Sequence, residues 1–90
     1  MAEFLHEYES RVVTSDGTYR ARALAEQRKD GTWSGWLEFE PAGGGNTIRT
    51  EQETSQPDRE AVEYWATGIE PIYLEGALER AKRRPVGANQ

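Results

Sequence analysis

The chain has 90 residues, with 11 lysines and arginines against 16 aspartates and glutamates, a formal net charge of −5 and no cysteine. That length suits one domain with a small core, and the absent cysteines exclude a disulfide scaffold, thiolate metal ligands and cysteine nucleophiles. Three Trp, four Tyr and two Phe argue against wholesale disorder, although 30% of the residues are charged.

The charge is unevenly spread. Residues 1–79 hold 7 basic and 16 acidic side chains, 7 − 16 = −9, and Arg80, Lys82, Arg83 and Arg84 then add +4. An acidic body disfavours phosphate contacts, so nucleic acid is not an expected partner, and the four cations suit the end of a helix dipole. No apolar run approaches membrane-spanning length, and no basic-then-apolar leader opens the chain. A soluble cytoplasmic protein without a membrane partner is expected.

Residues 4–14 fit a helical stripe through Phe4, Leu5, Tyr8 and Val12. The β-branched Val12, Val13 and Thr14 before Ser15-Asp16-Gly17 favour a strand and turn instead, with the first few residues frayed. Residues 19–41 are the strongest signal. Tyr19, Ala21, Ala23 and Ala25 share one strand face, and Trp33, Gly35, Leu37 and Phe39 share one on its partner. Matching these faces requires a three-residue loop, Lys29-Asp30-Gly31, that pairs Ala23 with Leu37 and puts Gly31 at positive φ. The other face is mostly charged and contains one apolar pair, Leu24 with Trp36.

Beyond Pro41, Gly43-Gly44-Gly45-Asn46 is an exposed loop. Residues 47–53 alternate as a short, polar edge strand. Ser55-Gln56-Pro57-Asp58 is a helix start, with Ser55 as the expected cap. Ala61, Val62, Trp65 and Ile69 follow at helical spacing, and Gly68 closes the helix. Pro71 opens a second helix through Leu74, Ala77, Leu78 and Ala81, although Ile72-Tyr73-Leu74 also fits a short strand. Residues 85–90 read as a disordered tail. The expected fold is one α+β domain over residues 1–84: an antiparallel sheet of three to four strands, one helix packed on a face, and a second C-terminal helix.

The chemistry is largely negative. His6 is the only histidine and lies near the N-terminus, and no phosphate-binding glycine loop is present. Glu51, Glu53, Asp58 and Glu60 gather at the strand-to-helix corner, where hard-cation binding would permit a metal-dependent hydrolase. Capping explains Asp58, and no recognised ligand spacing is present, so no metal or other cofactor is expected. The stronger signal is aromatic. Trp36 lies on the charged hairpin face, and Tyr64 and Tyr73 lie beside their helical stripes. Leu24, Trp36, Tyr64 and Tyr73 are therefore the candidate interaction residues, unless Phe4, Leu5 or Tyr8 covers Trp36.

The strand pair with its Asp-Gly turn, followed by Thr54-Ser55-x-x-Asp58-Arg59-Glu60-Ala61, resembles the HicB-like antitoxin core over residues 19–66. The acidic stretch 47–53 departs from that family's glycine-rich approach to its helix, and no DNA-binding segment follows. Trp33-x-Gly35-Trp36-x-x-Phe39 with Tyr64-Trp65-Ala66-x-Gly68-Ile69-Glu70-x-x-Tyr73-Leu74-Glu75-Gly76-Ala77-Leu78 is also similar to small bacterial proteins of unknown function, over most of the chain. Neither resemblance implies catalytic residues. The expectation is a non-catalytic protein that binds a protein partner or itself as a homodimer, with an antitoxin-like role as one form.

Overall fold

The hairpin at residues 19–41 is the axis of the molecule. The computed structural model describes residues 1–83 and pairs strand β3 (Gly17–Gln27) antiparallel with β4 (Trp33–Pro41). Ala23 lies opposite Leu37 and Ala21 opposite Phe39, the register that puts both apolar sets on one face. The Arg28 amide donates to the Thr32 carbonyl at 2.7 Å and the Gly31 amide to the Arg28 carbonyl at 3.0 Å. This closes the three-residue loop with Gly31 at φ +93°, a conformation that favours glycine.

Six strands form one antiparallel sheet, where three to four were expected, because both outer strands are broken. Beside β3 run β1 (Glu3–Glu7) and β2 (Val12–Thr14); beside β4 run β5 (Ile48–Arg49) and β6 (Thr54–Gln56). The β1 register shifts between Phe4 and His6. On the opposite edge the buried Thr50 makes the break. Its hydroxyl accepts from the Leu37 amide at 3.0 Å and donates to the Glu51 carbonyl at 2.9 Å. A side chain thus stands in for a ladder bond, and the alternation expected over 47–53 survives only in β5. The N-terminal segment expected to fray is instead in the sheet from Glu3, which Arg59 anchors at 3.0 Å.

The helices are α1 (Arg59–Thr67) and α2 (Pro71–Arg83). Asp58, not Ser55, caps α1, its carboxylate accepting from the Ala61 amide at 2.8 Å, while Ser55 pairs with Ser34 in the sheet. Pro57 explains the shift, because its ring keeps the preceding Gln56 extended. Gly68 ends α1, its amide donating to the Tyr64 and Trp65 carbonyls. Ile72, Tyr73 and Leu74 are helical, not a strand. Residues 84–90, including the expected tail, lie outside the described residues.

Both helices pack on the odd-numbered face. Ala66 of α1 and Leu74, Ala77 and Leu78 of α2 form one cluster with Tyr19, Ala21, Ala23, Leu37 and Phe39, while Val62 packs with Ala25 and Trp33. Small residues on the sheet set the approach distance. A Cβ on Gly35 would stand 2.8 Å from Trp65 Cζ3 and 2.9 Å from Thr54 Cγ2. Burial of Phe39, Leu37 and Leu74 contributes roughly 2 kcal/mol each. The Tyr8 hydroxyl donates to the Ala66 carbonyl at 2.6 Å, and burial pushes its pKa up.

Candidate functional site

The four candidate interaction residues do not form one surface. Leu24 and Trp36 pair on the even-numbered sheet face, and Tyr64 and Tyr73 lie on the helices that cover the odd-numbered face. Two surfaces therefore need separate accounts.

On the even face Trp36 is only 3% exposed. Its cover includes Arg49, whose guanidinium lies 4.1 Å from the ring centroid, a cation–π contact. The indole Nε1–H donates to Glu38 at 3.3 Å, and Arg22 pairs with the same carboxylate at 3.0 Å. Leu5 and Tyr8 pack with the odd-face clusters instead, while Phe4 pairs with Leu24 and is 57% exposed. The strand registers arrange this face in rows. Phe4, Leu24 and Trp36 form an apolar row; Glu7, Arg22, Glu38 and Arg49 form the neighbouring one, alternating in sign across four strands. Arg20 opposite Glu40 continues the pattern. Opposite charges directly across a strand pair stabilise it modestly.

On the helical side Tyr64 is 82%, Ile72 76% and Tyr73 39% exposed. A shallow depression at the α1–α2 corner is lined by Trp65, Gly68, Ile69, Glu70, Ile72 and Tyr73. Tyr64 adjoins it, being one turn from Gly68 on the same helix face. Tyr73 is positioned through its hydroxyl, which donates to Glu53, and Arg80 holds that carboxylate at 3.2 Å. Burial, then the Glu53 hydrogen bond, raises the Tyr73 pKa. Between residues 59 and 79 the chain carries one arginine and five glutamates, and Arg59 is engaged by Glu3 and Glu63. The corner is apolar at its centre, with Glu70 in its lining and Arg80, paired with Glu53, lying 5.7 Å from the Tyr73 ring centroid.

The remaining candidates have structural partners. Asp58 is the α1 cap and Glu53 serves Arg80 and Tyr73, and among the described residues no three His, Asp or Glu side chains converge as a metal site. Arg80 pairs with Glu53, and Lys82 pairs with Asp16 at 3.0 Å and lies near Glu79, so these cations hold α2 to the sheet side of the molecule. His6 lies in β1 with its ring edge-on to Tyr8 at 4.7 Å. Sequence reading missed the exposure of Ile72, because a residue read as part of a short strand is assumed covered. It also missed Arg49, whose place over Trp36 depends on the β4–β5 register. Among the described residues no helix is long and apolar enough to cross a membrane. Comparison with protein-family models, curated proteins and solved structures found no match.

Proposed function

We propose that this is a small, non-catalytic cytoplasmic protein that binds a basic protein partner through the α1–α2 corner. The observation that supports it is the exposure of Tyr64 and Ile72 beside Tyr73, on helices whose residues 59–79 carry five glutamates and one arginine. Tyrosines are effective anchors because they bury a large area with few rotatable bonds, and Tyr73 is further positioned by Glu53. The surrounding glutamates speed encounter with a cationic partner and disfavour acidic ones. An antitoxin-like role, with a basic toxin as the partner, is the specific form suggested by residues 19–66.

The test is affinity capture from the native cytoplasm with wild type and with the Tyr64→Ala, Ile72→Ala double variant, both confirmed folded by circular dichroism. The expected result is a basic protein retained by wild type and lost by the variant. A partner held equally by both, or an acidic partner, overturns the reading.

A further inference from the structure

The even-numbered sheet face is left uncovered by both helices, and its charge pattern has a symmetry that identifies an occupant. We infer that this face stacks on the same face of a second copy, about a two-fold axis running along the strands between β3 and β4. Such an axis reverses each cross-strand row. Glu7 then faces the partner subunit's Arg49, Arg22 faces the partner subunit's Glu38, and Arg20 faces the partner subunit's Glu40. The registers that set these rows are fixed within the protomer: Glu7 opposite Arg22, Arg22 opposite Glu38, Glu38 opposite Arg49, and Arg20 opposite Glu40. Every charge in the two rows meets its opposite, and the exposed Phe4 and half-buried Leu24 lie in the adjoining apolar row. Cross-strand pairing within the protomer accounts for opposite charges being neighbours. That Arg20 and Arg22 both lie on β3 and Glu38 and Glu40 both on β4, with Glu26 beyond them opposite Ser34, is what makes the two rows complement themselves on rotation. An isologous contact requires this, because each patch must complement itself.

The dimensions are compatible. The strand residues of the sheet, at about 3.3 Å along each strand and about 4.8 Å between strands, give roughly 500 Å² per protomer. The total, about 1,000 Å², is that of a weak, reversible dimer. Stacked sheets with strands aligned are a common packing mode. The α1–α2 corner points away from this contact, so the dimer stands apart from the proposed partner site.

Sedimentation of the full chain, with Arg22→Glu and Glu38→Arg prepared separately, tests the geometry. Wild type is expected to show reversible association to twice the protomer mass of 10.2 kDa. Each variant alone opposes like charges twice across the axis and is expected to weaken the dimer at least tenfold. An equimolar mixture of the two restores all four opposite-charge contacts and is expected to dimerise again. Recovery on mixing also shows that the single variants had stayed folded. Wild type monomeric up to millimolar concentration, single variants that still dimerise, or a mixture that stays monomeric would overturn the inference. None of these outcomes depends on capture of a partner at the helical corner.

Discussion

On the odd-numbered face of β3 and β4, alanines stand opposite Leu37, Phe39 and Gly35; on the even-numbered face, arginines stand opposite glutamates. The same hairpin register produces both patterns, but the odd face achieves complementarity by volume and the even face by charge. Volume complementarity needs a cover, and α1 and α2 supply it with Val62, Ala66, Leu74, Ala77 and Leu78. Charge complementarity persists in water, which is why the even face can remain open. It also explains why Trp36, placed there, is protected by the Arg49 guanidinium rather than by an apolar helix.

The contrast is broken most sharply by truncation. Phe39→Ala removes a fully buried ring from the covered face and is expected to lower stability by about 3–5 kcal/mol, against about 1 kcal/mol for Leu24→Ala on the open face. Chemical denaturation midpoints at constant slope measure both, and equal losses would contradict the two-face description. Gly35→Ala sharpens the volume argument, because its methyl group would meet both Trp65 and Thr54. A loss of about 1–3 kcal/mol is expected in the same experiment, and a neutral or stabilising result would show that α1 yields easily.

The smallest effect concerns the contact between α2 and the β2–β3 turn. Hydrogen bonds from Thr14 and Lys82 hold the Asp16 carboxyl below its ordinary value of 3.8. Because the folded pKa is depressed, the associated stability is present above the unfolded value and is lost as pH falls through the folded one. Asp16→Asn is therefore expected to melt slightly below wild type at neutral pH, with the two converging in acid. A difference that persists unchanged as the pH falls well below the ordinary carboxyl value would rule out this origin.

The hairpin register was legible in the sequence because it is a local constraint: two odd-numbered apolar sets and one glycine leave a single loop length. The second helix was legible for the same reason, through Leu74, Ala77 and Leu78. The broken edges were not. On the β5–β6 side the break depends on Thr50 reaching the Leu37 amide, and nothing in residues 47–53 marks that hydroxyl as a substitute for a backbone bond. The shift of the α1 cap from Ser55 to Asp58 is similar, since β6 pairing claims Ser55 before the helix can. At the surfaces, sequence pattern found Tyr64, Tyr73, Leu24 and Trp36 but could not divide them between the two sides, because the division is made by tertiary packing.

The most direct test of the two-face account is a dilution series followed through the indole N–H resonances of the three tryptophans. Trp36 donates to Glu38 on the open face, whereas Trp33, and Trp65 on α1, belong to the odd-face cluster with Ala25 and Val62. The account predicts that the Trp36 signal moves with concentration while those of Trp33 and Trp65 stay in place. Movement of Trp33 or Trp65, or three signals unchanged up to millimolar protein, would contradict it.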